Sequence, residues 1–234
     1  MDNEEIDKKA KEWIRVNVSE LIKKFASVEK FPPVKNPFSM FMAGSPGAGK
    51  TEFSKSFIST YPDKNTKIVR IDADEIRDLI PFYKDGNAYK VQGAAGLGVT
   101  KLFDYVQHHN QNVIVDGTFS DFNISLNNVQ RALKHDRKVG IFYIYQDPMV
   151  AWEFTKKREQ IEGRHVTKDM FIRSFFNAKE NVNKIKEMLG NKIELYLVEK
   201  DYTNNLKKPY FNINRVEDFL KIGYNKEDLE GLLK

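Results

Sequence analysis

The sequence predicts an α/β fold in which a parallel sheet of about five strands carries helices on both faces. The first observation is a series of five short apolar runs, rich in β-branched and aromatic residues and bounded by turn or polar residues. The second is that segments with helical spacing of apolar residues separate these runs. Such alternation requires crossover connections, which set parallel strands side by side and cover both faces of the sheet with helices.

The predicted elements follow one another along most of the chain. The strands are 38–43, 67–71, 112–115, 139–145 and 193–198. The helices that separate and follow them are about 49–60, 74–80, 88–109, 122–136, 148–162 and 168–189. Within 88–109, the three glycines at 93, 96 and 98 indicate a flexible or a close-packed segment.

Both ends of the chain differ from this alternation. An amphipathic helix is predicted over 4–28, and the prolines at 32, 33 and 37 end it. Residues 203–209 are typical of a loop, and two short helices are predicted over 215–221 and 226–233. We therefore expect a core of residues 1–202, which includes the N-terminal helix, and a small helical appendage of residues 203–234.

Composition limits the possible classes of protein. The chain has 234 residues, of which 41% are hydrophobic and 30% charged, and this suits one large domain with its own core. It has no membrane-length apolar run and no N-terminal secretory signal, so we expect a cytoplasmic protein without membrane attachment. The absence of cysteine excludes disulfides and thiolate metal sites.

The net charge of +5 has two interpretations of equal weight. It would attract anionic substrates such as nucleotides, or it reflects the lysines that keep many proteins soluble. No concentrated basic stretch with interleaved aromatic residues is present, so nucleic-acid binding is not indicated.

The strongest motif is a complete phosphate-binding P-loop. It reads Gly44-Ser45-Pro46-Gly47-Ala48-Gly49-Lys50-Thr51 and satisfies G-x-x-x-x-G-K-[ST]. A predicted strand leads into it and a predicted helix leads out of it, which is the context that the motif requires. The glycines let successive N–H groups point at phosphate oxygens, and the helix N-terminus adds partial positive charge. We expect Lys50 to bridge the β- and γ-phosphates of ATP and the Thr51 hydroxyl to ligate Mg²⁺.

Acidic residues follow two of the other predicted strands. Asp72 and Asp74 lie at the end of the second strand, and Asp116 ends the third, followed by Gly117 and Thr118. Ligands bind at the carboxyl ends of strands in open α/β sheets. Asp74 is a candidate base for an acceptor hydroxyl or a simple helix cap; Asp72 and Asp116 are candidates for the water shell of Mg²⁺. Thr118 would line the cleft, although an ordinary turn explains the 116–118 segment as well.

Two arginines follow the fourth strand. Arg158 and Arg164 lie in a basic segment, six residues apart in the sequence. Phosphoryl transfer needs positive charge near the γ-phosphate oxygens, and arginines on a movable segment can supply it. A solvated helix face explains the same run of charge, so the residues alone do not decide between the two.

Taken together, these motifs resemble the zeta-toxin family of P-loop kinases. The matching stretches are 43–51, 71–74, Asp116-Gly117-Thr118, and Arg158 with Arg164, within a resemblance that covers roughly residues 38 to 200. The family often has Glu-Gly-Thr where this chain has Asp116-Gly117-Thr118.

The resemblance implies a P-loop kinase-like fold and a role for each motif. Asp74 would be the catalytic base, Lys50 the P-loop lysine, and Arg158 and Arg164 the contacts to the γ-phosphate, with ATP and Mg²⁺ required. It implies phosphorylation of the 3′-hydroxyl of UDP-N-acetylglucosamine or a related UDP-amino-sugar, and an antitoxin as protein partner. Two alternatives stay open: a kinase for another acceptor, such as an antibiotic, a metabolite or a polynucleotide 5′-hydroxyl, and a non-catalytic ATP-binding module.

Overall fold

The computed structural model describes residues 3–84, 88–162, 165–201 and 206–234. Within these ranges the chain forms one six-stranded sheet with helices on both faces, which confirms the predicted fold class. The strands are β1 (Phe38–Ala43), β2 (Ile68–Asp72), β3 (Asn112–Asp116), β4 (Lys138–Tyr145), β5 (Glu194–Lys200) and β6 (Leu206–Tyr210). The helices are α1 (Asn3–Val16), α2 (Val18–Phe25), α3 (Lys50–Thr60), α4 (Ala73–Arg77), α5 (Ala88–His108), α6 (Phe122–Lys134), α7 (Pro148–Glu162), α8 (Lys168–Leu189) and α9 (Lys226–Leu232).

The order of strands across the sheet is β2-β3-β1-β4-β5-β6. The first five strands are parallel, and β1 lies between β3 and β4. The carboxyl ends of these five strands therefore meet at one edge of the sheet. The P-loop follows the central strand, so segments after β2, β3 and β4 can all reach it.

The two faces of the sheet pack against different helices. Alternate residues of a strand point to opposite faces, so that Phe41 packs against Phe103 of α5, while Met42 lies in a second cluster with Phe142 and Phe53 of α3. Helices α1, α5, α6 and α8 contribute to the larger cluster. Both faces of the central strands are thus buried, which explains why they appear as near-continuous apolar runs.

The glycines of α5 do not interrupt the helix. A Cβ atom on Gly98 would lie 2.7 Å from Cγ2 of Ile76 and 3.3 Å from Cδ1 of Ile14. Gly98 therefore lets α1 and α4 approach α5 closely. Of the two predictions for the glycines of this segment, flexible or close-packed, Gly98 fits the second. The contact matters for the site because Ile76 belongs to the helix that carries Asp74.

The N-terminal helix predicted over 4–28 is two helices rather than one. Asn17 separates α1 from α2, and its side-chain amide donates to the carbonyl of Trp13 at 2.8 Å. Asparagine competes in this way with the regular backbone bonds of a helix, which accounts for the break.

The prediction of a loop over 203–209 was wrong for its second half. Strand β6 pairs antiparallel with β5 at the edge of the sheet. Lys207, Lys208 and Pro209 resemble a loop in sequence, but an edge strand tolerates both lysine and proline because one side of its backbone remains unpaired. The predicted helix over 215–221 is only a 3₁₀ turn at Val216–Asp218. The division of the chain at residue 202 remains a proposal.

The final helix packs on the rest of the chain. Leu229 and Leu233 lie in a buried cluster with Trp152 and Phe171, and the Trp152 indole donates to the Lys234 carbonyl at 2.7 Å. In the described ranges, no helix combines the length and apolar character needed to cross a bilayer.

Candidate active site

The P-loop adopts a curl that three glycines make possible. Gly44, Gly47 and Gly49 have positive φ angles of 141°, 73° and 79°. A Cβ atom on Gly44 would lie 2.4 Å from the Ile144 carbonyl oxygen, and one on Gly47 would lie 2.0 Å from that of Ala151. The loop is therefore pressed against β4 and α7, and at these two positions only glycine fits both the backbone angle and the space.

Lys50 begins α3 and turns back over the loop. Its Nζ donates to the carbonyl oxygens of Gly44 at 3.0 Å and Ser45 at 2.6 Å. The ammonium thus lies at the mouth of the cradle formed by residues 44–51, where a phosphate would meet it. Thr51, the next residue, lines the same pocket.

Asp72 and Asp116 lie side by side because of strand register. They are paired residues on the parallel strands β2 and β3, so their side chains share a face of the sheet. Arg70, two residues before Asp72, points to that same face. Its guanidinium donates to Oδ2 of Asp72 at 2.8 Å and to Oδ2 of Asp116 at 2.9 Å, and it also pairs with Glu75. We call Arg70, Asp72, Glu75 and Asp116 the carboxylate cluster.

The pKa values of Asp116 and Arg70 are both raised, but for different reasons. Burial raises the pKa of Asp116, as does the negative charge of Asp72; Lys50, Arg70 and a hydrogen bond from Ser54 reduce that rise without cancelling it. Burial lowers the pKa of Arg70, but its hydrogen bond to Asp72 and the charges of the three acids outweigh burial and raise that pKa above its ordinary value. Arg70 is therefore a permanent cation between buried acids.

Asp74 lies in the first turn of α4, and Asp72 is the residue that caps this helix. The carboxylate of Asp72 accepts from the Asp74 backbone N–H at 2.8 Å. Asp74 therefore does not serve as the N-cap, and its half-exposed side chain lines the pocket. Arg77, almost fully buried on the same helix, donates to Oδ1 of Asp74 at 2.7 Å and to Gln92 of α5 at 2.6 Å.

Arg158 reaches the same carboxylate from the opposite side. It projects from α7, and its guanidinium forms an ion pair of 3.8 Å with Oδ2 of Asp74. Arg158 of α7 and Asp74 of α4 thus line the same pocket as an ion pair. The second predicted arginine, Arg164, lies outside the described residues.

A pocket of about 330 Å³ brings most of the predicted site residues together. It is lined by predicted residues from all four motifs: Pro46, Gly47, Gly49, Lys50, Thr51, Asp72, Asp74, Asp116, Thr118 and Arg158. Gly44, Ser45 and Ala48 are buried in the P-loop behind them. Pro46 and Arg158, the first and the last of these lining residues, are 112 positions apart in the sequence. The edge of the sheet brings them together around one pocket.

The oxygen atoms at this site suit Mg²⁺. Magnesium prefers oxygen ligands and usually keeps several waters, with one or two carboxylates and substrate phosphates completing its shell. Ser54 and Arg70 both donate to Oδ2 of Asp116, and among the described residues no hydrogen bond or ion pair involves its Oδ1. Thr51 and Asp116 therefore fit a hydrated cation, whereas both oxygens of Asp72 are already engaged. No group of three or more metal-binding side chains occurs in the described ranges, so the phosphates would have to supply much of the shell.

Arg70, Arg77 and Ser54 are among the residues of the site that were not predicted from sequence. The sequence does indicate an acidic partner for Arg70, because a cation inside the apolar run 68–71 needs one. Arg77 stands three residues after Asp74, a spacing that places both side chains on one helix face. Ser54, which donates to Asp116 at 3.0 Å, gave no such signal because its partner is 62 residues away.

Several solved structures have a similar fold over most of the length of this chain. A chain of the PezAT chromosomal toxin–antitoxin system of Streptococcus pneumoniae matches with a TM-score of 0.67 and 16% identity, over 94% of this chain and 86% of that one. The AvrRxo1-ORF1:-ORF2 complex matches with a TM-score of 0.57 and 12% identity, over 92% and 70%. The Pnkp1/Rnl/Hen1 RNA repair complex matches with a TM-score of 0.51 and 16% identity, over 84% and 55%. At these identities the likeness shows the fold alone.

The fold and the pocket define a P-loop kinase. The central strand delivers the P-loop, and acids and arginines from neighbouring elements surround it. A family model described as "Zeta toxin" matches residues 22–207, and the chain belongs to this family. A search of curated proteins found no match.

Proposed function

We propose that this protein is an ATP-dependent kinase that transfers the γ-phosphate to a hydroxyl of a UDP-amino-sugar, and that it acts as the toxin of a toxin–antitoxin pair. The observation that carries the proposal is the single pocket in which Lys50, Asp74 and Arg158 meet. A lysine in a P-loop binds phosphate in many proteins, but an acid opposite it, flanked by two arginines, is what transfer to an acceptor needs.

The donor side consists of the P-loop and α7. Backbone N–H groups of the P-loop after Gly44 would hold the phosphates, and Lys50 would leave the Gly44 and Ser45 carbonyls to bridge the β- and γ-phosphates. Mg²⁺ bound with ATP would neutralise part of the phosphate charge, with Thr51 and Asp116 on its side of the pocket. Arg158 would leave Asp74 for the γ-phosphate, because a phosphoryl group carries more negative charge than one carboxylate.

We propose that Arg164, like Arg158, contacts the γ-phosphate. The proposal for Arg164 rests on the family resemblance.

The acceptor side consists of α4 and the segment after β3. Asp74 would accept the proton of the acceptor hydroxyl, and Arg77 would fix the carboxylate through its Oδ1. Asp116 and Thr118 line the pocket next to Asp74 and are the candidate contacts to the rest of the acceptor. Asp72 supports the arrangement by capping α4 and by binding Arg70.

The acceptor is proposed from the family, and the antitoxin is proposed from the family and from the relatives. The zeta-toxin family has UDP-amino-sugars as acceptors and antitoxins as partners. The PezAT relative belongs to a toxin–antitoxin system, and a structure of AvrRxo1-ORF1:-ORF2 with ATP has the same fold with a TM-score of 0.56. These likenesses support ATP as donor and a neutralising protein as partner.

A transfer assay tests the proposed function. Purified protein is incubated with Mg·ATP and UDP-N-acetylglucosamine, and both ADP release and the phosphorylated sugar nucleotide are measured by mass spectrometry. We expect product with the wild type, and with Asp74→Ala we expect ATP binding without transfer. Full transfer by Asp74→Ala would remove Asp74 from the role of base.

A panel of acceptors decides between the kinase alternatives. An aminoglycoside, a set of sugar metabolites and an oligonucleotide with a 5′-hydroxyl replace the sugar nucleotide in parallel reactions. Product on one of these alone would reassign the acceptor and leave the kinase chemistry intact. ATP binding without transfer to any member of the panel would favour a non-catalytic module.

The antitoxin is tested separately, by expression in a bacterium. We expect arrest of growth by the wild type, none by Asp74→Ala, and rescue by co-expression of the neighbouring gene. Normal growth with active wild-type kinase would contradict the toxin role without contradicting the enzymatic one.

A further inference from the structure

The segment that follows β3 contains a backbone conformation that needs an explanation. Phe119 has φ of 61°, although it is an aromatic residue and only 8% exposed. Bulky side chains rarely adopt the left-handed region, because the Cβ atom crowds the backbone there. Such strain persists only where the surroundings hold it, and it is concentrated at functional sites. We call residues 117–121 the acceptor loop.

Three successive carbonyls of the acceptor loop are held by three different donors. The Gly44 backbone N–H donates to the Thr118 carbonyl at 3.1 Å. Two asparagines of α8 bind the next two: Nδ2 of Asn181 donates to the Phe119 carbonyl at 2.9 Å, and Nδ2 of Asn177 donates to the Ser120 carbonyl at 3.3 Å. Asn181 is itself buried, so its amide is committed to this contact.

The direction of these bonds explains the conformation of Phe119. Turning the Phe119 peptide out of the left-handed region would remove its carbonyl from the buried Asn181 amide and leave a donor without a partner. An unpaired buried donor costs more free energy than an ordinary hydrogen bond contributes, so the bond can hold the strained residue in place. The turn at Phe119 in turn sets the position of Thr118, which lines the pocket beside Asp116.

We propose that Asn181 is a positioning residue for the phosphate acceptor: through Phe119 it fixes the acceptor loop, and with it Thr118, at a set distance from the P-loop. The proposal rests on the proposed kinase function. Transfer requires the acceptor oxygen and the phosphoryl group to be aligned closely. The loop is bonded to Gly44 on one side and to α8 on the other, so both substrates are held by one hydrogen-bonded frame.

Amide hydrogen exchange tests this frame without any substrate. Asn181→Leu removes the donor and keeps the size of the side chain. Asn183→Leu, two residues along α8, is the matched control, because among the residues that the structure describes Asn183 bonds only Glu217 and the Val216 backbone, away from the pocket. We expect exchange of the Gly44 amide, which donates to the Thr118 carbonyl, to be at least about tenfold faster in Asn181→Leu and unchanged in the control. Unchanged exchange in both would overturn the proposal.

Should the leucine variant fail to fold, Asn181→Asp replaces it. Aspartate keeps the shape but offers an oxygen to the Phe119 carbonyl, so the bond is lost in the same way.

Steady-state kinetics test the consequence for transfer. For Asn181→Leu we expect the acceptor KM, measured with UDP-N-acetylglucosamine, to rise about tenfold or more, while ATP affinity changes less than about twofold. A purely structural role would lower thermal stability, ATP affinity and transfer together, and that result would overturn the proposal. Absence of transfer by the wild type would refute the proposed function instead, and the exchange experiment would still decide the role of Asn181.

Discussion

Replacement of Arg70 by methionine tests the carboxylate cluster. The Arg70 side chain is 9% exposed and is bonded to Asp72 and Asp116, whose side chains are 11% and 4% exposed. Methionine keeps much of the volume and removes the charge, so two buried acids would face each other without the cation that bonds them both. Removing one partner of a buried pair costs about 3 to 5 kcal/mol. For a chain of this size that corresponds to a fall in Tm of roughly 6 to 20 °C.

The loss should depend on pH, with a sign that the structure fixes. The pKa of Asp116 is already raised by burial, and without Arg70 it would rise further. A folded-state pKa above the unfolded value favours the folded state at low pH, and this contribution is lost as pH rises through the folded-state pKa. The deficit of Arg70→Met relative to wild type should therefore be largest near about pH 7.5 and smaller near about pH 5.

Urea unfolding, followed by the fluorescence of Trp13 and Trp152, measures both effects. Arg15→Met is the control, because Arg15 pairs with Glu12 on an exposed helix face and should change stability by less than about 0.5 kcal/mol. The double variant Arg70→Met with Asp116→Asn should recover part of the loss, because it removes one of the two facing charges. A loss no greater than that of the control, or a loss that grows on acidification, would refute the reasoning.

Two further substitutions test the P-loop and the contacts of Arg137 at the amino-terminal ends of the strands. Gly47→Ala should lower ATP affinity at least about tenfold, because the new Cβ would meet the Ala151 carbonyl at 2.0 Å, whereas Gly96→Ala, with nothing within 4 Å, should not; titration with a fluorescent ATP analogue would show both. Arg137→Met should destabilise the protein by at least about 3 kcal/mol in urea while ATP affinity is unchanged, because the buried guanidinium donates to the Phe38 and Gln111 carbonyls far from the pocket. Equal ATP affinities of the two glycine variants, or wild-type stability of Arg137→Met, would contradict these expectations.

The features predicted well from sequence are those that a few neighbouring residues determine. The P-loop is one continuous motif, and the strands of the sheet centre are apolar runs because both their faces are buried. Asp74 and Asp116 could be placed at the same edge because the ends of parallel strands meet there. Each of these inferences needs only a local pattern and the general geometry of parallel sheets.

The features missed depend on register or on long-range pairing. That Arg70 contacts Asp116 follows from the alignment of β2 with β3, which no local pattern specifies. Asn181 and Phe119 are 62 residues apart and meet only after α8 packs beside the loop. Strand β6 was missed because a strand at the edge gains its order from β5 rather than from its own composition.

The pairing of Asp72 with Asp116 makes strand register a determinant of the charge pattern at the site. One inserted or deleted residue within β2 would turn Asp72 toward the other face of the sheet, because side chains alternate along a strand. The P-loop, which follows a different strand, would retain its shape and still bind phosphate. Asp72 and Asp116, however, would no longer lie side by side. Length variation in β2 should therefore be poorly tolerated among active relatives, whereas the loop that leads into it, at residues 61–67, is free to vary in length.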